Sequence, residues 1–174
     1  MTTYEEIRDQ IEDGDLVFVG KIKGDLLGAI VKLVTKSEFV HTGIAFWMKS
    51  NNGTRRLFIV EAHQGGRRIV SLSSYSQRHI CIVKAPTEWS AIEQIAIEKT
   101  GVVPYGYLDY IDVGLKELFD INTQDRKGEI CSEAVAKTLK AGGLDQLKET
   151  IVSPGKLFRI IQSLGYKTKF ESGQ

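Results

Sequence analysis

Gly128-Glu129-Ile130-Cys131-Ser132-Glu133 runs directly into Ala134-Val135-Ala136-Lys137-Thr138-Leu139-Lys140-Ala141 and stops at Gly142-Gly143. The stretch reads as a loop that becomes an amphipathic helix with a cysteine in its first turn. A thiol in that place sits over unpaired backbone N–H groups and the positive end of the helix dipole. Both favour thiolate over thiol. A cysteine nucleophile needs that setting, and the same amides can hold a developing oxyanion. The plainer reading uses the same residues. Cys131, Ala134, Val135, Thr138 and Leu139 share one helical face, where a cysteine serves as a small core residue.

Chemistry at Cys131 requires a base, and His41 is the candidate. It opens the strand Val40-His41-Thr42-Gly43-Ile44-Ala45-Phe46-Trp47, where alternation sets it on one face with Gly43, Ala45 and Trp47. The small residues at 43 and 45 leave room beside the ring. Asn51-Asn52-Gly53 is a turn signal, and Arg56 to Ala62 is the returning strand. Pairing symmetric about Asn51 would set His41 opposite Glu61, whose carboxylate would take the Nδ1 proton and leave Nε2 as base. A tight turn on Asn52-Gly53 would instead set Glu61 opposite Ile44, pointing away from the ring. Both registers are open. Glu61 also occupies an apolar position in the alternation after Leu57 and Ile59, which is costly for a carboxylate without a partner. His63 is a substitute orienting group, His79 reads as a surface residue, and Cys81 as a buried structural thiol.

The flanks complete an α+β order of helix, strands and helices. Thr3 with Glu6 forms a capping box for a first helix carrying Tyr4, Ile7 and Ile11, ended by Asp13-Gly14. Leu16 to Val19 is a strand, and Leu26 to Val34 a helix. Arg68 to Leu72 and Ile80 to Val83 are further strands, so that four runs from Val40 onward read as an antiparallel meander. Helices follow from Thr87 to Gly101, through Leu108 to Phe119, at Cys131, and from Ser153-Pro154 to Gly165. A single domain over residues 1–174 is expected, with 166–174 a loosely held tail.

Composition excludes several function classes. The chain has 174 residues and a net charge of +1, so nothing points to nucleic acid or another polyanion. Two cysteines make no disulfide framework, and three histidines make an ordinary metal site unexpected. No cofactor is expected. The N-terminal residues lack a signal-peptide core, and no apolar run approaches the ~20 residues of a membrane span. A cytoplasmic protein without an integral membrane segment is the expectation; release by lysis or delivery in a virion are the alternative routes to an external target.

With His41, Glu61 and Cys131 in that order, the chain resembles the circularly permuted branch of the NlpC-type papain-like cysteine peptidases, the YiiX/YaeF-like group. The resemblance is carried by Gly14-Asp15-Leu16-Val17-Phe18, His41-Thr42-Gly43-Ile44, Val60-Glu61-Ala62, Tyr105-Gly106-Tyr107, Cys131-Ser132-Glu133 and Ser153-Pro154 to Leu157. It implies a papain-like fold, an antiparallel sheet packed against helices with the nucleophile at a helix N-terminus. It also implies a thiol hydrolase acting on amides, including cell-wall peptides. Cys131 would be the nucleophile, His41 the base and acid, and Glu61 the residue orienting His41. Tyr105 or Tyr107 would line a pocket for a peptide or other small amide substrate. The lecithin retinol acyltransferase-like proteins share the permuted order, leaving a lipid acyltransferase or thioesterase as an alternative beside a catalytically silent binding module. Their Asn-Cys-Glu-His motif is absent, since Cys131 lies between Ile130 and Ser132.

Overall fold

The computed structural model describes residues 3–20, 37–63, 66–101 and 130–172. Six strands form one antiparallel sheet: β1 Leu16–Gly20, β2 Phe39–Lys49, β3 Arg55–His63, β4 Gly66–Ser71, β5 Ile80–Val83 and β6 Thr168–Glu171. Their order across the sheet is β4-β3-β2-β1-β5-β6. The described residues also form the α-helices α1 Tyr4–Ile7, α2 Trp89–Glu98, α3 Cys131–Ala141 and α4 Pro154–Ser163. The α+β class read from the sequence is the class of the fold. None of these helices is long and apolar enough to cross a membrane.

Strand alternation builds two cores, one on each face. Leu16, Phe18, Ile44, Phe46, Val60, Cys81 and Val83 point to a layer completed by α2, α3 and α4 through Ile92, Val135, Leu139, Leu157 and Ile161. Each fully buried Leu, Val or Ile on these helices contributes about 1.5–3 kcal/mol. On the opposite face Val17, Val19, Ala45, Leu57, Ile59 and Ile82 pack under Tyr4, Ile7 and Ile11 of the N-terminal segment and under Leu72 and Tyr75. The capping box of Thr3 and Glu6 starts α1, and Gly14, at φ +88°, turns the chain into β1. Ser153 caps α4 by accepting from the Lys156 N–H at 3.2 Å, with Pro154 in the first turn.

Three expectations are corrected. The last of the four runs read as a meander, β5, does not pair with β4; it crosses the sheet and pairs with β1. Residues 166–172 are not a loose tail. Thr168–Glu171 forms β6 on the outer edge of β5, and Ser172, buried, takes the Ile80 N–H on its Oγ at 2.9 Å. Neither hairpin register holds. The β2–β3 ladder runs from Lys49↔Arg55 to Ile44↔Val60 and is symmetric about Asn52. Ser50 and Asn52 close that five-residue loop on Thr54: the Ser50 N–H donates to the Thr54 carbonyl at 2.9 Å and the Thr54 N–H to Asn52 Oδ1 at 3.1 Å. The helices expected over Leu26 to Val34 and Leu108 to Phe119 lie outside the described residues.

Candidate active site around Cys131, His41 and Glu61

Helix α3 begins at Cys131, with Ile130 in extended backbone as its N-cap and the Ala134 N–H closing the first turn on the Ile130 carbonyl at 2.9 Å. An isoleucine cap offers no side-chain acceptor to the first-turn amides. Cys131 is fully buried and close enough to the His41 ring to raise the pKa of the imidazole. Ser132 donates its hydroxyl to the Val152 carbonyl, and Glu133 pairs with Lys137 one turn on at 2.8 Å. Both anchor the turn that carries the thiol.

His41 pairs with Val19 and keeps the face of Gly43 and Ala45; β2 breaks its alternation just before it, which turns Phe39 to the helix side. Pairing with β1 runs Val19↔His41 and then slips to Gly20↔Phe39, leaving Val40 as the extra residue of a bulge. Phe39 and Ala45 have the same parity, yet Phe39 packs in the helix-side core and Ala45 in the opposite one. The switch of face therefore lies between them, at the bulge just before His41. Bulges re-aim side chains in this way.

Continuing the β2–β3 register sets Gly43 opposite Glu61, so Glu61 is the diagonal neighbour of His41 on the same face. Glycine makes the approach possible: a Cβ at position 43 would lie 2.6 Å from Ile59 Cδ1 and 2.7 Å from the Val60 carbonyl oxygen. His41 Nε2 lies 2.8 Å from Glu61 Oε2. The expected nitrogen is thus corrected: Nε2, not Nδ1, faces the carboxylate, and Nδ1 is the ring nitrogen left for the sulfur.

Glu61 is the most heavily bonded side chain of the site. Tyr75 donates its hydroxyl to Oε2 at 2.8 Å, and Arg68 reaches Oε1 through Nε at 2.9 Å and Nη2 at 2.8 Å. Burial alone would raise its pKa; bonds from His41, then Tyr75 and Arg68, reverse this and bring it to about 2. Burial would likewise lower the His41 pKa, but the charge and hydrogen bond of Cys131, followed by those of Glu61, raise it to about 10. Those directions favour the charged imidazolium beside the Glu61 carboxylate. Tyr75 is pushed up, first by burial and then by the Glu61 charge, so it stays a donor. Its ring stacks on His41 at 5.8 Å between centroids, and His63 meets His41 edge-on at 6.0 Å.

The structure brings together Cys131, His41 and Glu61, as the sequence reading grouped them. Tyr105 and Tyr107 lie outside the described residues. Arg68 and Tyr75 are additions. Arg68 pairs directly across from Glu61 in the β3–β4 hairpin, a pairing that the sequence reading did not draw. No sequence signal marked Tyr75, which arrives on a short 3-10 turn, Leu72–Tyr75. Arg67 is buried; it donates to the Ala134 carbonyl and Thr138 Oγ1, both at 3.2 Å. Cys81 is a buried thiol as expected, pushed up to about 12 by burial. His79 is not a plain surface residue: it stacks on Phe39 and contacts Glu171 at 2.9 Å.

Six antiparallel strands with the thiol-bearing helix against their centre define an α+β domain of a known kind. No protein-family model and no curated protein matches the chain. Among solved structures it is similar to the metalloprotein YiiX from Escherichia coli O157:H7, a DUF1105 protein, with a TM-score of 0.55 and 18% identity. The likeness covers 95% of this chain and 99% of that one. The chain shares the fold of the YiiX-like group.

Proposed function

We propose that this protein is a papain-like cysteine hydrolase of the permuted NlpC type that cleaves amide bonds through a thioester on Cys131. One observation carries the proposal: the His41 ring is bonded to the Glu61 carboxylate and close to Cys131. In the reaction the Cys131 thiolate attacks the amide carbonyl, forming the C–S bond. The oxyanion forms next to the backbone N–H groups that open α3. The C–N bond then breaks as the His41 imidazolium gives its proton to the departing amine. His41, now neutral, takes a proton from water, whose oxygen attacks the thioester and returns the thiol and the free acid. Glu61 favours the charged ring before and after the proton transfer and keeps it oriented throughout. Peptides, including the stem peptides of cell walls, are the substrate class that the resemblance suggests.

YiiX is a metalloprotein, and a thiolate and an imidazole are zinc ligands. The donor set here does not fit a metal ion. Both Glu61 oxygens are taken by His41, Tyr75 and Arg68, leaving Cys131 and one ring nitrogen among the described residues, short of the three or four protein ligands a site needs.

The test is the alkylation rate of Cys131 by iodoacetamide at neutral pH. An activated pair labels Cys131 far faster than a free thiol and loses that rate in His41→Ala. Labelling at the rate of free cysteine would refute the enzyme and leave a binding module. Peptide-amide and acyl-lipid substrates offered in parallel separate a peptidase from an acyltransferase or thioesterase.

A further inference from the structure

Away from the thiol, Glu38, His79 and Glu171 meet at the end of the sheet where β1 and β6 finish and β2 and β5 begin. One ligand atom from each lies within 4.8 Å of the others. The three come from distant parts of the chain: the residue before β2, the residue before β5, and the last residue of β6. From this convergence we propose a binding site for one divalent first-row transition cation, of the zinc, cobalt or manganese kind, with these three residues as its protein ligands.

Each donor is placed by the fold. The His79 ring stacks on Phe39 at 5.5 Å with 24° between planes, and Nε2 is the nitrogen turned to Glu171 Oε1 at 2.9 Å. It can lie there because β1 ends in Gly20; a Cβ at that position would sit 3.0 Å from His79 Cβ and 3.2 Å from Nδ1. The Gly20 N–H also donates to the His79 carbonyl at 2.8 Å. Glu171 is fixed opposite Cys81 in the β5–β6 ladder. Glu38 precedes Phe39, whose N–H is held by Ser37 Oγ at 3.0 Å.

Charge and chemistry agree with a cation. Among the described residues no lysine or arginine pairs with Glu38 or Glu171, and one imidazole offsets at most one of the two carboxylates. An imidazole with two carboxylates suits a transition ion better than magnesium or calcium, which take all-oxygen shells. An ion about 2.0–2.2 Å from each donor would bring them to roughly 3.3 Å apart. Rotation of the two glutamate side chains supplies that movement. Three protein ligands would leave positions open to water or a ligand.

The inference stands apart from the proposed hydrolase, and its test is run in the Cys131→Ala protein so that the reactive thiol takes no part. Zinc chloride is titrated calorimetrically, and cobalt chloride is followed by its visible absorption. The expected result is one equivalent bound, weakened about tenfold or more in His79→Ala and in Glu171→Gln, and unchanged in His41→Ala. Glu171 is half exposed, so its variant keeps the fold if His79→Ala does not; thermal melting of each variant checks this. No binding up to millimolar metal, binding that survives both substitutions, or binding lost in His41→Ala would overturn the site.

Discussion

Replacing Glu61 by glutamine tests whether the carboxylate keeps His41 charged. Glutamine preserves the shape but removes the negative charge, and its amide must turn an N–H towards Tyr75, Arg68 or His41, each already a donor. The carboxylate pKa falls from 4.5 to about 2 in the folded protein, which at about 1.36 kcal/mol per unit makes its ionised form some 3 kcal/mol of folding stability. A hydrogen bond to a charged group contributes about 1.5–3 kcal/mol, equivalent to roughly 1–2 pH units at the imidazole. The assay is NMR titration of the histidine Cε1–H signals, of which the chain has three, assigned by removing each histidine in turn. In the wild type the His41 signal should titrate near pH 10. In Glu61→Gln the midpoint should fall by about 1–2 units, and in Cys131→Ala it should fall further, since the thiolate is the larger of the two raising influences. A midpoint unmoved by Glu61→Gln would refute the role assigned to the carboxylate.

Four further outcomes follow from the same geometry. Tyr75→Phe removes a donor from a buried carboxylate and should cost about 1.5–3 kcal/mol in urea unfolding, with an upward shift in the Glu61 titration. Gly43→Ala drives a Cβ into the Val60 carbonyl and should cost about 1–3 kcal/mol, lowering Tm by roughly 2–4 °C per kcal/mol in a calorimetric scan. Arg67→Met leaves the Ala134 carbonyl and Thr138 without their guanidinium donor; unfolding free energy should drop by about 1–3 kcal/mol and the alkylation rate of Cys131 should fall with it. Stability against pH has two limbs. His41, raised from 6.5 to about 10, binds its proton more tightly folded than unfolded, so its contribution is complete below about 6.5 and fades as pH climbs to 10. Glu61, lowered from 4.5 to about 2, contributes above 4.5 and fades as pH falls to 2. Urea midpoints should therefore plateau between about 4.5 and 6.5, and Glu61→Gln should flatten the acid limb.

What the sequence disclosed depended on how local the cause was. Helices α1, α3 and α4 carry their own punctuation, in Thr3 and Glu6, in the Gly142-Gly143 stop, and in Ser153-Pro154, and all were legible. The shared face of His41 and Glu61 was only one of two open readings, and both expected registers were wrong. A loop centred on Asn52 keeps odd residues opposite odd ones, as the Asn51-centred register would have done, but moves each partner by two. The loop's length was set by side-chain bonds of Ser50 and Asn52 that composition alone does not rank against a two-residue turn. Pairings between distant segments were hidden. Nothing local in Ile80 to Val83 says that it joins β1 instead of β4, and Thr168 to Glu171 is too short to announce itself as an edge strand.

Arg67 and Arg68 show why the site needs the whole sheet. Consecutive residues of a strand point to opposite faces, so this dipeptide works on both layers at once. Arg68, paired across from Glu61, grips the carboxylate that holds His41. Arg67, paired across from Ala62, passes to the helix side and takes the Ala134 carbonyl in the first turn of α3, three residues beyond Cys131. One guanidinium thus fixes the acid and its imidazole, and the next fixes the helix turn that carries the sulfur. A shift of β4 by one residue would exchange the two faces and release both. The spacing between imidazole and thiol is therefore set by strand register, and the register in turn by the apolar alternation of β2 and β3 beneath it.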